Sequence, residues 1–144
     1  MKALIQRVTS SSVEVEGTNV GQINKGLLVF IGIEKLDELS HADKMINKIL
    51  SYRVFSDAND KMNLSVSDIN GDVLLVSQFT LAADTKNGTR AGFSTAMNPL
   101  EAENIYDYMV EKFKTFVNIQ SGVFGADMKV SLVNDGPVTF LLEC

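Results

Sequence analysis

The chain has 144 residues, of which 45% are hydrophobic and 22% are charged. This length and composition are typical of one globular domain with a buried core, and they exclude a disordered chain. The formal net charge of −5 argues against non-specific binding along a nucleic acid, because such binding needs clustered Lys and Arg. A polar loop with Lys86 and Arg90 still allows contact with a short nucleic-acid end, although two such cations are more often simply solvated.

The sequence predicts neither a membrane segment nor a disulfide framework. The longest apolar run, residues 26–33, is far too short to cross a bilayer. Charged residues near the start interrupt any signal-peptide core, so we expect a cytoplasmic protein without a membrane partner. The only cysteine, Cys144, has no partner for an intramolecular disulfide, and we expect it to be exposed and frayed at the end of the chain.

In the first part of the chain, the pattern predicts a hairpin over residues 13–20 that turns near Gly17, and a strand over residues 27–33. A helix is predicted over residues 40–50, with Ser40 as its N-cap and Asp43 in the capping-box position. Its apolar residues share one face, which predicts packing against a sheet. These residues are Ala42, Met45, Ile46, Ile49 and Leu50.

Further along, the turn signal Asn70-Gly71 leads into a strand predicted over residues 72–81. Apolar residues on both faces at the start of this strand indicate that it is central and covered on both sides.

A second helix opens at Asn98, the expected N-cap, with Pro99 at the first helical position, where a missing N–H costs nothing. Its apolar stripe is Ala102, Ile105, Met109, Phe113 and Phe116. Two more strands are predicted over residues 128–134 and 138–143. Strands at both ends with two helices between them favour a single α+β domain over residues 1–144, with a mostly antiparallel or mixed sheet.

The residues of familiar catalytic sites are nearly absent. A Ser or Cys triad needs a histidine base, and the only histidine, His41, stands at the first position of the first predicted helix, where we expect a surface role. One histidine and one terminal cysteine cannot form a zinc site, and no calcium-loop or phosphate-loop spacing occurs. We therefore expect neither a metal nor a cofactor.

The strand predicted over residues 72–81 becomes polar on both faces at its far end. In an extended strand, Gln78 and Thr80 point to one side, and Ser77 and Phe79 point to the other. A strand that enters a pocket has this pattern, and so does a strand that emerges into solvent. The segment is therefore a nucleophile site, a set of donors for a ligand, or an ordinary polar strand end.

The segment Asp135-Gly-Pro-Val138 is the second unusual feature. Gly136 before Pro137 fits a simple hairpin bend, and it also fits a turn with a cis peptide bond. Only about 5–6% of X–Pro bonds in folded proteins are cis, so the general frequency favours the bend. In a cis arrangement, the carbonyl groups of Gly136 and Pro137 would point in one direction and could bind a small cation.

The chain closely resembles the D-aminoacyl-tRNA deacylase family along essentially its whole length. The Ser-Gln-Phe-Thr and Gly-Pro-Val-Thr motifs are the most specific parts of this resemblance. The matching segments are Met1-Lys-Ala-Leu-Ile-Gln-Arg-Val-Thr9, Gly26-Leu-Leu-Val29, Lys61-Met-Asn-Leu64, Ser77-Gln-Phe-Thr-Leu81, Phe124-Gly-Ala-Asp-Met-Lys-Val130 and Ser131-Leu-Val-Asn-Asp-Gly-Pro-Val-Thr139.

The resemblance implies a barrel-like sheet packed with two main helices, and a homodimer with active sites at the subunit interface. The substrate would be the ester between an amino acid and the terminal adenosine at the 3′ end of tRNA. A cis Gly136-Pro137 peptide would enter the partner's pocket, bind the α-ammonium group and admit D-amino acids and glycine, including glycine mischarged on tRNA-Ala. Arg7 would hold this motif in its orientation.

The resemblance also bears on the chemical step. Thr80 matches a threonine proposed as the family's nucleophile, but an unassisted hydroxyl is a poor nucleophile at neutral pH. We prefer activation of water by the tRNA 2′-hydroxyl, with an oxyanion stabilised by backbone N–H groups around Gln78 and Phe79. Ser77 and Gln78 would shape the pocket. The alternatives are a module that binds an RNA end or an amino acid without turnover, and a Thr80-dependent esterase.

One loop departs from the family pattern. Members often carry Arg-Pro-Ser-Phe after the first motif, whereas this chain has Arg90-Ala-Gly-Phe93. We expect the loop to be more flexible here and to contact the tRNA end differently.

Overall fold

A long first strand organises the fold. In the computed structural model, which describes residues 1–144, β1 (Lys2–Val15) pairs antiparallel with three other strands. Its first half pairs with β3 (Gly26–Gly32) and its second half with β2 (Thr18–Ile23), while β8 (Lys129–Glu143) follows its other edge. The hairpin between β1 and β2 turns at Glu16-Gly17, as predicted.

The sheet is mixed because β6 (Asp72–Ser77) and β7 (Asn118–Ser121) extend it with parallel pairing. β6 lies beside β3, and β7 lies beside β6, so the strand order is β2-β1-β3-β6-β7 with β8 on β1. The chain is thus an α+β domain with a nearly closed mixed sheet and two helices, which confirms the predicted fold class. The remaining elements are α1 (Leu39–Ser51), β4 (Phe55–Ser56), β5 (Met62–Leu64), a 3₁₀ helix (Phe79–Ala82) and α2 (Pro99–Phe113).

Two hydrophobic cores lie on opposite faces of the sheet. The strand period of two sends Val73 and Leu75 of β6 to the larger core under the helices, and Leu74 and Val76 to the smaller core. All four side chains are buried. The prediction of a central strand covered on both faces is therefore confirmed.

Helix α1 buries the five predicted residues against the sheet, but its N-cap prediction was wrong. The helix begins at Leu39 and its N-cap is Glu38, so Ser40 lies inside the first turn. His41 is the third helical residue rather than the first, and its Nδ1 accepts a hydrogen bond from the Glu38 N–H at 2.9 Å. Asp43 does not form a capping box; its carboxylate accepts hydrogen bonds from Tyr108 and Lys112 of α2.

Helix α2 confirms the predicted cap. Asn98 Oδ1 accepts the Glu101 N–H at 3.1 Å, and Pro99 is the first helical residue. The prediction for Phe116 was wrong, because the helix ends at Phe113 and Phe116 is exposed. Tyr106 is buried on this face, where its hydroxyl donates to the Leu75 carbonyl at 2.9 Å. Burial raises the pKa of Tyr106 well above its ordinary value, so its hydroxyl remains a donor.

The two unusual segments differ from their strand predictions. β6 ends at Ser77 rather than continuing to residue 81, and the chain turns into the 3₁₀ helix. Gln78 and Thr80 therefore do not share one side of an extended strand. Residues 135–138 do not form a hairpin bend, because β8 runs antiparallel to β1 both before and after them. Thr139 pairs with Gln6 and Asn134 with Val8, so the four residues between them bulge out opposite Arg7 alone.

The end of the chain is held by backbone pairing. The Cys144 N–H donates to the Met1 carbonyl at 3.1 Å, so the expectation of a frayed end was wrong, although Cys144 is exposed. No helix reaches the combination of length and apolarity that crossing a membrane requires.

Candidate active site

A cavity of about 470 Å³ opens where β6 ends. Ser77, Gln78 and Phe79 form one side of it. The opposite sides come from the segment before α2, the first turn of α2 and the segment before β8, and include Met97, Phe124 and Met128. Most lining side chains are hydrophobic. This combination of an apolar wall with a few polar groups is typical of a small-molecule site.

The cavity contains little that can act as an acid or a base. Its only titratable lining side chain is that of Asp127, which is 89% exposed and pairs with Lys129 at 2.9 Å. His41 is engaged at the start of α1. No group of three or more His, Cys, Asp or Glu side chains is placed to hold a metal ion. The lining side chains can bind and orient a ligand, and they include no paired acid and base.

The end of β6 at Ser77 places the four predicted catalytic residues in different surroundings. Ser77, Gln78 and Phe79 line the cavity, but Thr80 does not. Thr80 Oγ1 lies 2.7 Å from Gln78 Nε2 and accepts a hydrogen bond from that amide. This amide donor cannot remove a proton from the hydroxyl, so Thr80 has no activating base beside it.

The backbone N–H groups of residues 78–80 differ in whether they already donate a hydrogen bond within the chain. The Gln78 N–H donates to the Ile31 carbonyl at 2.8 Å, so this group of the predicted oxyanion site is engaged within the sheet. The first hydrogen bond within the 3₁₀ helix runs from the Leu81 N–H to the Gln78 carbonyl at 3.2 Å. In such a turn, the N–H groups of Phe79 and Thr80 have no partner inside the helix.

The Gly136-Pro137 peptide bond is cis. The bulge that carries it is tied to the fold at both ends. Arg7, whose side chain is only 13% exposed, donates from Nε to the Asp135 carbonyl at 2.8 Å and from Nη1 to the Val54 carbonyl at 2.8 Å.

Asn134 closes the other side of the bulge. Its Oδ1 accepts the Val138 N–H at 2.8 Å, and its Nδ2 donates to Thr139 Oγ1 at 2.8 Å. Arg7 therefore holds the start of the bulge and Asn134 holds its end by hydrogen bonds.

The two motifs do not meet within one chain. Arg7, Gly136 and Pro137 do not line the cavity formed by Ser77, Gln78 and Phe79. The bulge belongs to β8, which pairs only with β1 and so has a free edge. Four large apolar side chains of β8 are exposed: Leu132, Val133, Phe140 and Leu141.

Sequence reasoning missed several residues of this site. Met97, Phe124 and Met128 line the cavity. Phe124 and Met128 lie in a segment that matches the family, but nothing in the sequence assigned any of the three to a pocket. Phe93 packs against Phe79 with 5.1 Å between the ring centroids. The sequence marked Phe93 as the last residue of the Arg90-Ala-Gly-Phe93 loop but gave no sign of its contact with Phe79.

Comparison with known proteins shows the family to which the chain belongs. The sequence profile of the D-Tyr-tRNA(Tyr) deacylase family matches residues 4–143. The chain belongs to the D-Tyr-tRNA(Tyr) deacylase family. D-aminoacyl-tRNA deacylases of this kind from Vibrio cholerae serotype O1 and Pseudomonas fluorescens are 55% and 56% identical to it, and each alignment covers 99% of both chains.

Two solved structures share the fold of this chain over nearly its whole length. A structure titled c-Myc DNA Unwinding Element Binding Protein superposes with a TM-score of 0.95 at 41% identity, over 100% of this chain and 99% of that one. A probable eukaryotic D-amino acid tRNA deacylase superposes with a TM-score of 0.86 at 14% identity, over 98% and 97% of the two chains. The second similarity shows the fold alone.

Proposed function

We propose that the chain proofreads the chirality of aminoacyl-tRNA, with the Gly136-Pro137 peptide of one protomer as the selective wall of its partner's cavity. Family membership makes the chain a hydrolase that cleaves the ester bond of D-aminoacyl-tRNA. The products are a free D-amino acid and tRNA. The selective role of the Gly136-Pro137 peptide is supported by one observation. Each chain has an open cavity and, at a separate place, a bulge on the free edge of β8.

The bulge offers groups suited to an α-ammonium group. The carbonyl oxygens of Gly136 and Pro137 are acceptors, and an ammonium group has three N–H donors and no acceptor. With the ammonium held there and the ester carbonyl held in the cavity, the two enantiomers direct their side chains to opposite sides. We infer that the D side chain points outward and the L side chain meets the bulge. Glycine has no side chain to exclude, so we include glycyl-tRNA, also when mischarged on tRNA-Ala, among the substrates.

A second copy of the chain would complete the site. The exposed Leu132, Val133, Phe140 and Leu141 flank the bulge on a strand with unpaired backbone groups. Such an edge is covered in most proteins, because it invites pairing with another chain. A twofold homodimer that buries this edge would carry each bulge toward its partner, and would repeat the same contact twice. This supports active sites that are shared between subunits.

The chemical step then depends on the substrate. A water molecule adds to the ester carbonyl, and the 3′-oxygen of the terminal adenosine leaves with a proton. No side-chain base lines the cavity apart from the exposed Asp127, so we propose that the neighbouring 2′-hydroxyl of the RNA activates the water. The N–H groups of Phe79 and Thr80 would stabilise the oxyanion, and Ser77 and Gln78 would position the ester.

Family membership favours this activity over the binding-module alternative. The Thr80-dependent esterase lacks a base beside Thr80, whose hydroxyl accepts from Gln78. We also infer that the enzyme acts in the cytoplasm, where aminoacyl-tRNA is made and consumed.

The first experiment compares loss of the ester from D-tyrosyl-tRNA and L-tyrosyl-tRNA with purified protein. We expect rapid loss of the D ester and no acceleration for the L ester. Equal rates for both esters would contradict the chirality proposal.

The second experiment tests whether sites are shared. A bulge variant, Gly136→Val, is mixed with a cavity variant, Ser77→Leu, after subunit exchange. In a shared arrangement, each mixed dimer contains one intact site, so random mixing restores about a quarter of the wild-type activity. Self-contained sites would give no restoration. The unfolding transitions of both variants establish that each still folds.

A further inference from the structure

We propose that Phe79 and Phe93 form a stacking platform for the unpaired nucleotides that precede the terminal adenosine of tRNA, with Lys86 and Arg90 beside their phosphates. This inference rests on the proposed function and extends it from the ester to the RNA strand that carries it. It assigns binding roles to Arg90 and Phe93, which match the family pattern on either side of the Ala91-Gly92 departure.

The two rings are exposed and in contact with each other. Phe79 is 60% exposed and Phe93 is 48% exposed, and their ring planes meet at 45°. Exposed single apolar residues are common in proteins. A contacting pair of exposed aromatic rings at the rim of a cavity is a feature of interaction sites.

The platform continues the cavity outward. Phe79 lines the cavity and also contacts Phe93. A strand whose terminal adenosine is held at the cavity therefore leaves along the aromatic pair. Bases of single-stranded RNA stack on aromatic side chains with little dependence on sequence. The 3′ end of tRNA is unpaired, so its bases are free to stack in this way.

The charges of the loop suit a phosphate backbone. Within residues 84–93, Lys86 and Arg90 stand against a single acid, Asp84. Neither cation forms an ion pair within the chain, and both residues are exposed. The Asp84 carboxylate accepts the Lys86 N–H at 3.0 Å, so it is engaged with the loop backbone. The loop is thus a locally cationic region on a chain of net charge −5.

The base of the loop is held in place although its tip is open. Asp84 and Gly92 exchange two backbone hydrogen bonds, at 2.8 and 2.9 Å. Thr95 donates through its hydroxyl to the Ala82 carbonyl. These contacts fix Phe93 next to the 3₁₀ helix that carries Phe79, so the two rings are arranged before any RNA binds.

The test compares two substrates that share the ester and differ in the RNA strand: D-tyrosyl-tRNA and D-tyrosyl-adenosine. A base stacked on an aromatic side chain contributes about 1–3 kcal/mol. Phe93→Ala should therefore lower the ratio of kcat/KM for the tRNA over that for the adenosine ester about 5-fold to 150-fold. Phe93→Tyr should keep the wild-type ratio, and Phe93→Leu, which retains apolar area without a ring, should behave like Phe93→Ala.

The charges are tested through salt dependence. Removing one phosphate contact to a single strand lowers the slope of log affinity against log salt by about 0.7. Lys86→Ala and Arg90→Ala should each lower the slope for D-tyrosyl-tRNA by about this amount and leave the slope for the adenosine ester unchanged. The matched controls are Phe116→Ala and Lys114→Ala, exposed residues beyond the far end of α2, which should alter neither the ratio nor the slope.

The outcomes separate this inference from the proposed function. Wild-type protein that hydrolyses neither substrate would overturn both. Wild-type activity on both esters, with Phe93→Ala and Phe93→Leu lowering the two rates equally or not at all, would overturn the platform alone. A Phe93→Ala variant that dissociates into monomers with an unchanged ratio would assign the rings to contact between copies of the chain, and would also overturn the platform.

Discussion

Arg7 reaches from β1 across the bulge and donates its Nε hydrogen to the Asp135 carbonyl at 2.8 Å, while its Nη1 bonds the Val54 carbonyl at 2.8 Å. The Asp135 carboxylate lies 3.7 Å from the same Nε. A single, largely buried guanidinium therefore connects three parts of the chain: β1, the segment before β4 and the start of the bulge. The position of Gly136 and Pro137 depends on this connection.

Replacing Arg7 with Lys should loosen the bulge although the charge is kept. A lysine ammonium lacks the planar fork that serves two carbonyl groups at once. Because a hydrogen bond from a charged group contributes about 1.5–3 kcal/mol, we expect kcat/KM for D-tyrosyl-tRNA to fall about tenfold or more. Arg53→Lys, an exposed arginine in the same region, is the matched control and should retain full activity. Equal activity of the two variants would remove Arg7 from the positioning role.

Gly136 should not tolerate a side chain. Its φ is +140°, and an added Cβ would lie 2.8 Å from Val138 Cγ2 and 3.2 Å from Arg7 Nη2. We expect Gly136→Ala to lower the free energy of unfolding by about 1–3 kcal/mol and to lower activity on D-tyrosyl-tRNA more than tenfold. Urea unfolding and ester hydrolysis measure the two effects. Wild-type behaviour in both assays would show that the bulge adapts to a side chain.

Thr80 should be largely dispensable for catalysis. Its hydroxyl accepts from Gln78 Nε2 and has no base beside it. We expect Thr80→Ala to keep most of the wild-type kcat, and substrate ending in 2′-deoxyadenosine to be hydrolysed at least about a hundredfold more slowly, as for loss of a general base. A folded but inactive Thr80→Ala variant would instead support the threonine nucleophile. Single-turnover rates with both substrates distinguish these outcomes.

Replacing either of two glycines with alanine should change the free energy of unfolding, in opposite directions for the two positions. Gly92 has no positive φ, and its added Cβ would meet only the Asp84 carbonyl at 3.9 Å. Gly92→Ala should therefore raise the free energy of unfolding by about 0.4–1 kcal/mol, because alanine restricts the unfolded chain. Gly125 has a φ of +75°, and an added Cβ would meet no atom within 4 Å. Because alanine disfavours this backbone conformation, Gly125→Ala should lower the free energy of unfolding by about 1–2 kcal/mol. A destabilised Gly92→Ala variant would show that the loop needs glycine.

The stabilisation that Asp43 of α1 gains from its hydrogen bonds to α2 should be lost at acidic pH. Hydrogen bonds from Lys112 and Tyr108 hold the pKa of Asp43 below its ordinary value of 3.8. The stabilisation is therefore present above that ordinary value and is lost as pH falls through the lowered pKa of the folded state. We expect wild-type protein to exceed Asp43→Asn in urea midpoint at pH 7, and the difference to shrink below pH 3.8. Glu111→Gln, in an exposed pair with Lys114, is the control.

Much of the fold was predictable from local patterns. The 3.6-residue period identified the buried face of α1, and the apolar residues on both sides of β6 identified a central strand. Asn98 and Pro99 marked the start of α2 because capping chemistry is local. The bounds of β6 and the cap of α1 were missed. β6 ends at Ser77 although the next N–H, that of Gln78, still donates to a carbonyl of β3. No pattern of residue types predicts that the strand ends there.

The candidate site was only partly predictable, because its walls come from distant parts of the chain. Met97 and Met128 reach the same cavity as Ser77 through the packing of separate segments. The position of Gly136 depends on pairing between β8 and β1, which lie at opposite ends of the sequence. Resemblance identified the motifs, whereas the distances and the free donors required the structure.

The pairing of β8 has a consequence for where selectivity resides. The pairing of β8 with β1 stops at Asn134 opposite Val8 and resumes at Thr139 opposite Gln6, and a second register shift follows between Val8 and Ser10. The four residues between Asn134 and Thr139 pair with no residue of β1, so their side chains are not part of the ladder that joins the two ends of the chain. Selectivity is therefore assigned to a segment outside the ladder, while the paired residues on either side of it hold the sheet together.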